Sequence, residues 1–105
     1  MEARVVFITY PVQAEVPAAA FARQLVEQGL AACVNLVPVQ SVYRWQGQVE
    51  TDDEVLLIVK TRAQDLANLE RFVHEHHPYQ VPEFVVLTPD RVAPAYLQWL
   101  LNPES

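Results

Sequence analysis

Glycine is nearly missing from this sequence: Gly29 and Gly47 are the only two in 105 residues. The common phosphate-binding loops need at least two closely spaced glycines, so dinucleotide-fold and P-loop chemistry are excluded. Most turns must instead use proline, asparagine or aspartate. Cysteine is scarcer still. Cys33 stands alone, which rules out an internal disulfide and any Cys-x-x-Cys site. Basic residues are few, seven Lys and Arg against thirteen Asp and Glu, for a formal net charge of -6. That surface repels phosphate backbones, and no nucleic-acid partner is expected. No apolar run approaches the ~20 residues of a membrane span, so no membrane partner is expected either. The start, Met-Glu-Ala-Arg, lacks the basic residues, long apolar core and small-residue cleavage site of a signal peptide. The expectation is a soluble, cytoplasmic protein.

What is present is a globular composition, 51% apolar, over a length that fits one domain, residues 1–105. Residues 4–10 are β-branched and aromatic and run into Pro11, which reads as a strand. Pro17 suits a helix first turn. Ala18, Phe21, Ala22, Leu25 and Val26 then follow helical spacing until Gly29 supplies a stop. A second apolar run over 30–37 is interrupted by Pro38, and 41–45 continues in strand fashion. Gln46-Gly47-Gln48 is a tight-turn signal, and 54–61 reads as a third strand. The segments around Gly47 make a long hairpin with a mostly polar outer half. Leu66, Leu69, Phe72 and Val73 mark a second helix over 64–76, which must end near His77 because Pro78 follows. Residues 84–88 form a fourth strand, and 95–101 a short terminal helix entered through Pro94.

The order is βαββαβ plus a helix. Right-handed crossovers place both long helices on one face of a four-stranded antiparallel sheet, an α+β ferredoxin-like sandwich. A sheet with one wet face should alternate apolar and polar residues. Residues 5–8, 55–59 and 84–87 are apolar on both faces. Two helices cover one face only, and a large apolar patch does not stay exposed. The expected cover is another copy of the chain, with Tyr43 and Trp45 on the hairpin as anchors. An obligate homo-oligomer is therefore expected.

Ala31-Ala32-Cys33-Val34-Asn35, Tyr43-Arg44-Trp45-Gln46-Gly47, Glu54 with Leu56, Leu57 and Lys60-Thr61, His77-Pro78-Tyr79, Pro82-Glu83 and Tyr96-Leu97-Gln98-Trp99-Leu100 follow in this order. This series resembles the CutA proteins, also called periplasmic or divalent-cation tolerance proteins, over nearly the whole chain. The resemblance implies a ferredoxin-like subunit in a homotrimer, with sheets turned inward and hairpins reaching onto neighbours. It further implies a role in tolerance of divalent copper, binding of Cu2+ or related cations, no attached enzymatic reaction, and an architecture like that of the PII signalling trimers.

The stretch from His74 to Glu83 holds all three histidines, the side chains that titrate near neutral pH and most often ligate metals. The metal candidates are His76, His77 and Glu83. In CutA proteins with a described copper site, the adjacent histidines serve with a first-strand cysteine, and Ile8 stands at that position here. Thiolate is the ligand that selects copper(I). Without it, two imidazoles and Glu83 are left for copper(II), nickel or zinc. The structural reading stands ahead of the metal one, because a histidine pair lacks the further ligands of a strong site. In it, His77 caps the second helix as an imidazolium, His76 packs near Val73, and His74 is solvated. Cys33, in an apolar strand, reads as a buried inert thiol.

Tyr43, Trp45, Glu54, Lys60 and Tyr79, with Glu83, form a second group, which the resemblance places around a cleft between subunits. Glu54 and Lys60 share a strand face but stand about 20 Å apart, too far to pair. A small-ligand or ion pocket and plain interface contacts are equally open readings. Two functions follow: a trimer for divalent-metal tolerance, or a PII-like trimer that binds a small ligand in the cleft. An enzyme finds no nucleophile and base to build on.

Overall fold

Apolar residues at alternate positions make the first strand, β1 (Ala3–Pro11), two-sided. Val6, Ile8 and Tyr10 are buried while Val5, Phe7 and Thr9 are half-buried. The computed structural model describes residues 2–104. After β1 come α1 (Ala18–Glu27), β2 (Cys33–Trp45), β3 (Gln48–Arg62), a 3-10 turn (Ala63–Asp65), α2 (Leu66–His76), β4 (Val85–Leu87) and α3 (Pro94–Leu101). The four strands form one sheet of order β2-β3-β1-β4, with each neighbouring pair antiparallel. The class is α+β, as the sequence led us to expect.

Helical spacing puts Phe21 and Leu25 of α1 and Leu69, Phe72 and Val73 of α2 on stripes that meet the sheet. They join Val6, Ile8, Tyr10, Leu57 and Val59 in one buried cluster, so both helices lie on the same face. Each large apolar side chain so buried stabilises the subunit by roughly 1.5–3 kcal/mol. α1 ends as its glycine requires. Gly29 adopts φ 73°, and the Gly29 and Leu30 amides donate to the Val26 and Leu25 carbonyls, the paired bonds of a Schellman stop. The chain is thereby turned back into β2.

The hairpin exceeds the expectation. Pro38 does not interrupt β2, which pairs with β3 continuously from Cys33↔Lys60 to Trp45↔Gln48. β2 is an edge strand, where a proline's missing N–H can face away from the ladder. β3 correspondingly begins at Gln48 rather than at residue 54, and Gln46-Gly47 alone make the turn. β4 is shorter than expected because only Val85–Leu87 pair with β1.

Residues paired across an antiparallel ladder point to the same face. Val6 pairs with Val59 toward the helices; Phe7 pairs with Ile58 and Val85, and Val37 with Leu56, on the opposite face. That outer face is apolar in its centre, as its sequence requires.

Candidate functional site

Two prolines create the loop that shapes the site. His77 precedes Pro78 and takes an extended backbone (φ -75°, ψ 140°), so α2 stops there, its last bond running from the His77 amide to the Val73 carbonyl at 2.8 Å. The chain then passes Pro82 before entering β4. This loop faces the hairpin across the upper end of the outer sheet face, and the space between them is a cleft of about 690 Å3. Its walls include Tyr43 and Trp45 from β2, Glu54 from β3, and Tyr79, Val81 and Glu83 from the loop.

Glu54 forms the floor. It is only 5% exposed, and the Tyr79 hydroxyl donates to its Oε2 at 2.5 Å. Burial, reinforced by that bond to the carboxylate, drives the Tyr79 phenol far above its usual range. Tyr79 is therefore a permanent donor at any physiological pH. Nearer the hairpin tip, the Tyr43 hydroxyl donates to Asp52 Oδ2, and that bond pushes the Tyr43 phenol up to about 12. Glu83 is raised as well, first by desolvation and then by the negative Glu54 beside it. Burial of one carboxyl near another thus makes the cleft a place where negative charge is already crowded.

His77 supports this wall from behind. Its Nδ1 accepts from the Tyr79 amide at 3.0 Å, which makes Nε2 the protonated nitrogen, donating to the Thr9 carbonyl at 2.7 Å. The ring lies edge-on to Tyr10 and Phe21 at centroid distances of 5.1 and 6.1 Å. Burial lowers its pKa, against smaller raising effects from the Thr9 bond and Glu54. The expected imidazolium cap is corrected accordingly. The backbone of His77 does end α2, but its ring is neutral and spans to β1, 68 residues away in sequence.

The metal candidates do not converge. Both nitrogens of His77 are used, so it has none to offer a cation. His76 stacks on Phe72 at 4.1 Å and hydrogen-bonds the Phe72 carbonyl through Nδ1, which leaves Nε2 free. His74 is exposed and makes the same bond to the Glu70 carbonyl. Ile8 is fully buried on the helix-facing side. Among the described residues, no group of three or more His, Cys, Asp or Glu side chains is placed to hold a metal ion. The donor set of one subunit therefore does not fit a copper centre.

Of the second group, Tyr43, Trp45, Glu54 and Tyr79 do share the cleft, and Glu83 joins them there. Lys60 does not. It lies six residues along β3 from Glu54, opposite Cys33, and its Nζ donates to Asn35 Oδ1. Cys33 is half-buried on the outer face, not enclosed as its apolar neighbours implied. Sequence reasoning missed Asp52 as the partner of Tyr43, although strand alternation offered a signal: Tyr43 pairs with Glu50, and Asp52 is the next residue on that face.

The family model described as CutA1 divalent ion tolerance protein matches residues 4–102. The divalent-cation tolerance protein CutA of Thermus thermophilus is 48% identical over 97 residues, covering 91% of this chain and 92% of that protein. Protein CutA of Mus musculus is 43% identical over 95 residues, covering 90% of this chain but 52% of that protein. The chain thus spans about half the length of the mouse relative and nearly all of the bacterial one. Among solved structures, the Thermus thermophilus divalent cation tolerance protein superposes with a TM-score of 0.87 at 48% identity, covering 94% of this chain and 95% of that one. CutA1 from Oryza sativa gives 0.88 at 42% identity, covering 95% and 91%.

Proposed function

The chain belongs to the CutA1 divalent ion tolerance protein family, and on that premise we propose that it acts in divalent-cation tolerance as a binding protein, not an enzyme. In this reading ferredoxin-like subunits assemble as a homotrimer, and the cleft over Glu54 is where a ligand binds. One observation carries the choice of site: Glu54, a residue only 5% exposed whose carboxylate accepts from a phenol that stays protonated, lies at the base of an aromatic-walled cleft. Apolar walls with a few converging polar groups are what a small-molecule site requires. Thr9 and Ser41 also line the cleft. The nearby imidazole of His77 gives both nitrogens to backbone groups, so it activates neither hydroxyl as a nucleophile.

This favours the PII-like alternative, a trimer that reads a small ligand, over a copper centre built on the histidines. Of the imidazole nitrogens in the copper reading of His76, His77 and Glu83, only Nε2 of His76 stays free. A thermal-shift screen with copper(II), zinc(II) and small metabolites, run on wild type, Glu54→Gln and His76→Ala, separates the two. The expected result is a ligand whose shift is lost in Glu54→Gln and kept in His76→Ala. A copper(II) shift lost only in His76→Ala would return the function to the histidine.

A further inference from the structure

Glu54 carries a charge question that the subunit does not answer. The ion pairs between side chains of the described residues are Arg4–Glu2, Arg23–Glu27 and Arg62–Asp65, and none involves Glu54. Its hydrogen-bond donor is a neutral phenol. None of the side chains lining the cleft is cationic. His77 lies close enough to feel Glu54, yet it is buried with both nitrogens hydrogen-bonded to backbone in the neutral form. Buried carboxylates are ordinarily paired with a positive charge or a metal. A second carboxylate, Glu83, lines the same space and adds to the demand.

The walls say which kind of cation. Trp45 and Tyr43 are 47% and 39% exposed, and with Tyr79 they line the cleft; aromatic rings attract an organic cation and cover its carbon chain. A bare divalent ion is a poor match. Among the described residues no three His, Cys, Asp or Glu side chains converge to hold one, and aromatic rings are not among the ligands that divalent ions take. A volume of about 690 Å3 is also far larger than an ion needs and within the range of small-molecule pockets.

We propose that the cleft binds a small organic cation, an alkylammonium or alkylguanidinium, with its charged head on Glu54 and Glu83 and its chain along Trp45 and Tyr43. This rests on the reading that the cleft is the binding site, and it names the ligand class.

The test is calorimetry on the full-length assembled protein with three probes of equal length: pentylamine, 1-pentanol and pentanoate. Agmatine serves as a bifunctional amine–guanidine. Pentylamine and agmatine are expected to bind at least tenfold tighter than 1-pentanol, with pentanoate weakest. Glu54→Gln should lower pentylamine affinity at least tenfold and leave 1-pentanol unchanged. Glu83→Gln, at an exposed position, should lower it severalfold, and it gives a second test if the Glu54 variant does not fold. Equal binding of pentylamine, 1-pentanol and pentanoate would keep the cleft as a site and overturn the cationic class. No binding by any probe, as when a side chain of a second copy fills the cleft, would overturn both readings. Unaltered amine affinity in both variants would overturn the placement.

Discussion

A histidine ring buried beside Tyr10 and Phe21 must find partners for two nitrogens, and His77 finds both on backbone groups. The consequence is a pH dependence of defined sign. Burial holds the folded-state pKa below the ordinary value of 6.5. The unfolded chain therefore binds the proton more readily, and stability increases with pH wherever the two states differ in protonation. The contribution is full above about pH 6.5 and is lost as pH falls from there toward the lowered folded value, at no more than about 1.4 kcal/mol per pH unit for one proton. Glu83, whose pKa is raised, acts with the opposite sign around and above its usual value of 4.5, so a second protein is needed to isolate the histidine. Urea unfolding between pH 5 and 8 should show this decline in wild type and a flatter profile in His77→Gln. Identical profiles would mean that another group carries it. The sequence located this residue at the end of α2 but could not disclose its chemistry. Thr9 and Tyr79 bind it from β1 and from the loop, and no spacing rule links residues 68 positions apart.

Elements were more legible than contacts, because each is governed by nearby residues. The stripe of Phe21 and Leu25 with Gly29 behind it specified α1, and Pro78 specified the end of α2. The hairpin was only partly legible. A proline lowers strand propensity in any local reading, and only the position of β2 at the sheet edge makes Pro38 harmless. The mostly polar residues 48–53, with Val49 their one apolar member, carry a weak strand signal, yet they pair because β2 supplies a ladder across from them. The turn between them contains a further opportunity. Gln46 and Gly47 both have positive φ, 50° and 80°, as a two-residue type I′ turn demands, and asparagine is the favoured residue at the first of these positions. Gln46 holds that conformation against the steric cost of a long side chain in the left-handed region. Gln46→Asn is expected to raise unfolding free energy by about 0.5 kcal/mol, and Gly47→Ala to lower it by about 1 kcal/mol, despite open space around the added methyl. Chemical denaturation midpoints check both. A neutral Gly47→Ala would show that the tip relaxes out of the turn.

At the scale of the molecule, the decisive feature is the sheet face that neither α1 nor α2 covers. Phe7, Leu56 and Ile58 are half-buried at its centre, while Val85 on β4 and Val37 on β2 are 47% and 38% exposed at its sides. Burial of such a face is worth about 25 cal/mol per Å2 removed from water, and it accumulates with every copy that joins. Charge opposes this only weakly, because the face is apolar at its middle while its carboxylates, Glu50, Asp52 and Glu54, lie toward the hairpin end. An assembly that hides the face should therefore be the stable species at micromolar concentration, sedimenting near three times the 11.9 kDa chain mass if it is the homotrimer proposed above. A carboxylate placed within the face would be desolvated in each subunit without a partner, a cost of several kcal/mol. Val85→Glu is expected to shift the protein toward monomer by at least tenfold in association. Val26→Glu, 43% exposed and on α1 rather than on the uncovered sheet face, should leave the mass unchanged. Wild type sedimenting as a folded monomer, or Val85→Glu behaving like Val26→Glu, would mean that this face is tolerated in water.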